Sequence, residues 1–169
     1  MASGDTLAIF TPYNNEPPSS NYATLDTRNQ HPILDFDATT DEEAVFKGIM
    51  PQSYAGTTGV TVYIHYAMST ANGSVYVVWQ AAFERVSDSV QDIDSDGFEA
   101  FNSTGQVAVP GTLGHVDVAS IAFTDGSDMD SVVAGDGFRL KIRRDADGTS
   151  ADDDATGDAE LWAVEIRET

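Results

Sequence analysis

The chain has 169 residues, no cysteine and a net charge of −20, from 28 acidic and 8 basic residues. This length suits one domain and suffices to bury a core without disulfides. The charge argues against binding to a nucleic-acid backbone, which requires clustered Lys and Arg. Strong acidity keeps particles apart in solution, and adaptation to high salt is a second explanation for it.

The sequence contains no candidate targeting or membrane segment. It begins Met-Ala-Ser-Gly-Asp, with neither a basic start nor an apolar run, so we expect no signal peptide. The roughly 18 continuous apolar residues of a membrane span are also missing. We therefore expect no membrane partner.

Residues 1–20 are predicted to be an extended N-terminal arm, ahead of a single domain at 21–169. The stretch after Phe10 has no period, and two adjacent prolines favour an extended path. An arm wrapped along a neighbour and a surface loop joining strands remain equal alternatives. The candidate contacts with a capsid or another subunit are Phe10, Pro12, Tyr13, Pro17, Pro18 and Tyr22.

The central stretch, residues 59–86, contains two apolar runs that alternate with a period of two. The first places Val60, Val62 and Ile64 on one face, and the second does the same for Val77 and Trp79. Such alternation, rich in β-branched and aromatic residues, indicates half-buried strands. Between the runs, Asn72-Gly73 supplies residues that tolerate positive φ. The sequence thus predicts a long antiparallel hairpin whose inward face is the middle of the core.

Shorter alternating runs lie before and after this central stretch. They give eight to ten strands, no amphipathic helix of useful length, and loops rich in Gly, Asp and Ser. This pattern predicts an all-β, two-sheet antiparallel sandwich of the jelly-roll type with long acidic loops. Trp79 on the central stretch and Trp162 on the last strand share faces with apolar residues, so both are predicted to lie in the core.

Asp92, Asp94 and Asp96, followed by Gly97, resemble the opening of a calcium loop. Calcium prefers several oxygens from alternate positions, with glycine at the bend. The bidentate Glu expected at the twelfth position is replaced by Ser103, and flanking helices are missing. We keep calcium as a candidate cofactor at this turn, with a solvated β-turn as the favoured alternative. The five carboxylates between Asp145 and Asp154 are predicted to form a mobile, exposed loop.

The remaining polar residues do not indicate catalysis. The three histidines, His31, His65 and His115, lack metal-ligand partners at short spacing, and no known nucleophile or phosphate-binding motif occurs. We therefore expect a protein that is not an enzyme. Arg139, Lys141 and Arg143 are predicted to share one outer face of a strand, where they pair with an acidic partner or with the protein's own acidic loops.

Several segments resemble small β-sandwich proteins encoded among the structural genes of tailed bacteriophages. The resemblance is carried by residues 22–37, Glu43-Ala-Val-Phe, Gly48-Ile-Met-Pro, Phe83-Glu-Arg, 92–96, 138–145 and 157–161. It covers most of the chain after residue 20. It implies a jelly-roll domain that decorates a capsid or forms part of a fibre, usually as a trimer.

Together these observations predict a structural virion protein on the outer capsid surface. It would decorate and stabilise a tailed-phage capsid by bridging capsomers, with the major capsid protein and copies of itself, in a homotrimer, as partners. The alternative is a carbohydrate- or receptor-binding module of a tail fibre or a secreted protein. That alternative predicts Tyr13 or Tyr54 exposed beside a shallow groove.

Overall fold

The computed structural model describes residues 4–169 and contains ten β-strands with two short 3₁₀ turns. The first three residues of the predicted arm lie outside the described residues. The strands are β1 (Thr6–Phe10), β2 (Thr24–Arg28), β3 (His31–Phe36), β4 (Glu43–Ile49), β5 (Val60–Met68), β6 (Tyr76–Val86), β7 (Asn102–Ala108), β8 (Asp117–Phe123), β9 (Gly137–Arg144) and β10 (Ala159–Glu168). Within this part of the chain, no helix has the length and apolarity to span a bilayer.

The strands form two antiparallel sheets. The first sheet has the order β2-β3-β10-β5-β8, with β1 also paired to β10, and the second has the order β4-β9-β6-β7. From β3 to β10 the chain passes repeatedly between the sheets, so that β3-β10-β5-β8 is packed on β4-β9-β6-β7. Eight strands in these two orders define the jelly roll. The predicted fold class, an all-β two-sheet sandwich of jelly-roll type, is confirmed.

The predicted pairing of the two central strands is wrong, but the prediction of which of their residues face the core is correct. β5 hydrogen-bonds to β10 and β8 in the first sheet, whereas β6 bonds to β9 and β7 in the second. The predicted inward residues are nevertheless buried, including Val62, Ile64 and Trp79, each fully inaccessible. The segment between the strands crosses from one layer to the other, so the two apolar faces meet across the core instead of lying side by side.

Aromatic side chains fill the space between the sheets. Trp79 contacts Phe36 and Tyr66 edge-on, with ring centroids 5.1 and 5.4 Å apart, and Phe83 contacts Phe123 in the same way at 4.9 Å. Edge-to-face pairs of this kind add to the free energy gained from burial alone. This single core fixes the positions of the outer faces on which the candidate sites lie.

The described part of the N-terminal segment is attached to the sandwich. β1 pairs with residues 164–167 of β10, directly beyond the part of β10 that pairs with β3. Phe10 is only 6% exposed and stacks on Phe46, with centroids 5.4 Å apart. Deleting residues 1–20 would therefore remove a strand and a core side chain along with any contact surface.

Candidate functional site

Four of the six predicted contact residues line one shallow groove, here called the Tyr13 groove. Pro12, Tyr13, Pro17 and Tyr22 surround about 280 Å³ together with Asn15, Ala23, Thr24, Leu25 and Leu34. Tyr13 is 70% exposed and Tyr22 is 49% exposed. Pro18 is half-buried outside the groove lining, and Phe10 and Pro12 are buried. The contacts predicted for this segment stay a prediction, and the side chains that reach the surface are chiefly the two tyrosines and Pro17.

Local hydrogen bonds hold the Tyr13 groove in shape. The 3₁₀ turn Pro12–Asn14 is closed by Asn14, whose side chain accepts a hydrogen bond from the Thr11 backbone N–H at 2.8 Å. The next residue, Asn15, accepts a hydrogen bond from the Val45 backbone N–H at 2.9 Å. These bonds connect the segment to β4 and close the turn on which Tyr13 lies.

Asp92, Asp94 and Asp96 lie on an exposed turn and face solvent. The Asp92 N–H donates to the Asp96 carboxylate at 2.6 Å, and the Asp94 N–H donates to the Asp92 carboxylate at 3.0 Å. Such bonds, from backbone N–H groups to Asp side chains of the same turn, are typical of Asx turns. The three carboxylates do not converge on a common point with the geometry of a ligand set, and calcium binding here stays a prediction.

In the described chain, one acidic group brings three carboxylate oxygens within 4.8 Å of one another: Asp41, Asp145 and Asp147. Burial tends to raise the pKa of Asp145, but hydrogen bonds from Ser150 and Thr149 outweigh it, and the pKa lies below its ordinary value. Asp145 is fully buried and its oxygens already accept bonds from these neighbours. The cluster is thus stabilised by the protein's own donors.

The loop between Asp145 and Asp154, predicted to be mobile and exposed, is instead tied into the domain. Arg144 is fully buried, and its guanidinium bonds the Asp153 carboxylate at 2.8 and 3.0 Å. It also donates to the carbonyl oxygens of Ala155 and Gly157 at 2.6 and 2.7 Å. The prediction was wrong because it assumed that the acidic run had no cation nearby, whereas Arg144 directly precedes it.

All eight Lys and Arg residues form ion pairs with carboxylates of the same molecule. On the outer face of the second sheet, Arg139 pairs with Glu84, Lys141 with Glu43 at 2.8 Å and Arg143 with Asp41 at 3.6 Å. Phe98 and Phe101 cover these cations, at 4.2 to 5.9 Å from ring centroid to charge. Of the two alternatives, this strand thus pairs within the protein, but only Asp41 belongs to a loop, since Glu84 lies in β6 and Glu43 in β4.

Trp162 lies on the outer face of the first sheet, where it was not predicted. Leu161 pairs with Tyr66 and Ala163 pairs with His65, so Trp162 is an extra residue in a β-bulge. A bulge shifts the alternation by one position and re-aims the side chain. Trp162 is consequently 45% exposed, although strict alternation from Val164 and Ile166 places it in the core.

Two hollows meet at Trp162 and together form what we call the Trp162 groove. One encloses about 520 Å³ and includes Arg28, His31 and Glu160 among its lining residues. The other encloses about 430 Å³ and includes His65, Glu165 and Thr11. Apolar side chains, among them Ile9, Ile33, Ala67, Val116 and Ala163, supply most of the remaining surface.

Charged residues flank the Trp162 groove. Arg28 pairs with Glu160 and donates to the Met68 carbonyl at 2.9 Å. Glu165 has its pKa lowered to about 2, chiefly by the hydrogen bond from Arg167. Beside Glu160, Asp35 has its pKa raised to about 6, first by burial and then by the surrounding carboxylates. The polar rim is therefore made of fixed carboxylates and paired cations.

Sequence comparison finds no matching protein-family model and no matching curated protein. Three of the solved structures that are similar to the chain illustrate the fold. The xylan-binding module CBM15 is 12% identical, with 96% of this chain and 97% of the module covered and a TM-score of 0.45. A carbohydrate-binding module with specific mannan recognition, TmCBM27, is 9% identical over 99% of both chains, with a TM-score of 0.42. A structure of infectious bursal disease virus, Gx strain, is 11% identical over 98% of this chain and 32% of the other, with a TM-score of 0.41.

Proposed function

We propose that this protein is a non-enzymatic structural component of a tailed-phage particle, which decorates the outer capsid surface and stabilises it by bridging capsomers. The observation that supports the proposal is the Tyr13 groove, a surface of two exposed tyrosines and a proline on a jelly-roll frame. Exposed tyrosines are frequent anchors of protein interfaces because they bury a large area at low entropic cost. The resemblance to phage structural proteins adds to this support.

The excess of negative charge indicates that the partner surface is basic. With 28 acidic and 8 basic residues, and every basic residue paired internally, an excess of 20 carboxylates is left over. Complementary potentials steer association and fix its orientation. The proposed partner, a major capsid protein, is therefore expected to present Lys and Arg around the site that receives Tyr13 and Tyr22.

The same charge bears on the proposed homotrimer. Copies that each carry a net charge of −20 repel one another at low ionic strength. A trimer would need apolar contacts, or the basic surface of a capsid between its copies, to overcome this repulsion. We therefore propose that trimers assemble on the capsid, around three-fold positions.

The test is a binding assay with capsids of the phage that encodes the chain, prepared without it. A Tyr13→Ala/Tyr22→Ala variant should raise the Kd for capsids at least about tenfold, as expected for the loss of two interface anchors. Tyr76→Ala is the matched control, because Tyr76 is 38% exposed on β6 of the second sheet, away from the groove.

Two results would overturn this proposal. If the unaltered protein does not bind these capsids, the decoration function is wrong. If it binds and the double variant binds equally well, the Tyr13 groove is not the docking surface. Circular dichroism of each variant verifies that the sandwich is folded.

Carbohydrate binding is the second candidate function. The sequence pointed to Tyr13 or Tyr54 for it. Tyr13 is exposed and lines the Tyr13 groove, whereas Tyr54 is only 4% exposed and its hydroxyl donates to Asp125 at 2.9 Å. Tyr54 is thus not available to stack on a sugar. The observation that favours this candidate is a different one, the exposed indole of Trp162 between two hollows.

A further inference from the structure

We propose that the Trp162 groove is a binding site for uncharged oligosaccharides, with the indole of Trp162 as its stacking platform. The inference rests on the second candidate function, carbohydrate binding, and is independent of capsid docking through the Tyr13 groove. The ligand class is thus named, and the binding residues differ from Tyr13 and Tyr54, which the sequence alone indicated.

The indole of Trp162 is placed so that a sugar ring can stack on it. Trp162 is held by the bulge in β10 and contacts the His65 ring at an interplanar angle of 67°, with centroids 6.4 Å apart. The side chain is 45% exposed and borders both hollows of the groove. A pyranose ring presents a flat face of C–H groups that stacks on such a π surface. With space on either side of the indole, a chain of several sugar units fits better than a single ring.

Polar groups on both sides of Trp162 can form hydrogen bonds with a sugar. Sugar hydroxyls are donors as well as acceptors, and the groove offers both kinds of partner. Glu160 and Glu165 are acceptors on opposite sides of the indole, while Arg28 and His31 are donors on one side. Few polar groups on an otherwise apolar wall are characteristic of sites that orient a ligand.

The charges around the groove exclude an acidic ligand. Arg28 is already paired with Glu160, and Arg167 with Glu165. Asp35 lies next to Glu160, and the pKa of Asp35 is raised first by burial and then by Glu160 and Asp158. A uronate or sialate would meet carboxylates and cations that are already neutralised. A second copy of this chain, with its own charge of −20, is disfavoured for the same reason.

The experiment uses the full chain, fluorescently labelled, on an array of neutral and acidic oligosaccharides, followed by calorimetric titration of the neutral hits. Oligogalactosides and oligogalacturonides form a matched pair, because the acidic series carries a carboxylate on the same sugar ring. Binding should be confined to neutral glycans. Trp162→Ala should weaken binding at least about tenfold, and Trp162→Phe, which keeps an aromatic face, should weaken it less. Tyr13→Ala/Tyr22→Ala is the control and should bind glycans like the unaltered protein.

Three results would overturn the inference: an array without hits for the folded protein, preferential binding of acidic glycans, or binding that Trp162→Ala leaves unchanged. If the array has no hits and Trp162→Ala abolishes self-association, the groove is instead a contact between copies. Capsid binding measured in parallel separates this inference from the proposed decoration function, because Trp162→Ala should leave capsid binding intact.

Discussion

Asp35 destabilises the folded protein at neutral pH. It lies on β3, and burial together with neighbouring carboxylates, Glu160 first among them, raises its pKa from 3.8 to about 6. A carboxyl whose pKa is higher in the folded state stabilises the fold when protonated. This contribution is fully present below about pH 4 and is lost as the pH rises through about 6.

We expect Asp35→Asn to increase the free energy of unfolding at pH 7.5 by about 1 kcal/mol. Two pKa units would correspond to roughly 3 kcal/mol, but water screens this half-buried carboxyl. At pH 4 the substitution should have little effect, because Asp35 is then mostly protonated. Urea unfolding at both pH values measures the difference, with Asp94→Asn on the exposed turn at 92–96 as a control, because Asp94 is not among the carboxylates that act on Asp35. An equal effect at both pH values would contradict the assignment.

At the scale of elements, the connection between β9 and β10 depends on one buried ion pair. Arg144 and Asp153 have fully buried side chains, and Arg144 also bonds the carbonyls of Ala155 and Gly157. Arg144→Met removes the cation and leaves Asp153 buried without its partner. We expect a loss of about 3–5 kcal/mol in the free energy of unfolding.

The double variant Arg144→Met/Asp153→Asn should recover part of that loss, since it removes the uncompensated charge. Thermal and urea unfolding of both variants provide the comparison. If the single variant loses less than about 1 kcal/mol, the connection does not depend on this pair, and the loop would be mobile as its sequence suggests.

Features that depend on neighbouring residues could be predicted from the sequence, whereas features that depend on distant strands could not. Alternation identified the buried faces of β5 and β6, because the period of two is a local property of the chain. It did not identify the partners of these strands, since a hairpin and a crossover between sheets bury the same faces. The bulge at Trp162 depends on the hydrogen-bond register with β5, a contact almost 100 residues away in sequence. The candidate sugar site was therefore not predictable, whereas the fold class was.

At the scale of the whole molecule, the two outer faces are chemically different. The second sheet carries a row of cations paired with carboxylates and covered by Phe98 and Phe101. The first sheet instead presents the Trp162 groove, and the Tyr13 groove lies beside β2. The row of cations is thus covered by the protein's own residues, and both candidate binding surfaces lie on or beside the first sheet.

The placement of the eight basic residues has a consequence for proteolysis. Each lies within a strand: Arg28, Lys47, Arg85, Arg139, Lys141, Arg143, Arg144 and Arg167. Proteases cleave exposed loops far faster than hydrogen-bonded strands. Trypsin, which cuts after Lys and Arg, should therefore cleave the folded protein at most after Arg28, which ends β2 before an exposed turn, while a protease specific for Asp or Glu should cut the acidic turn at 87–97. Mass spectrometry of timed digests tests this, with heat-unfolded protein as the control. Fast tryptic cleavage after the other seven residues would mean that the strands open readily, so resistance there reports directly on the integrity of the sandwich.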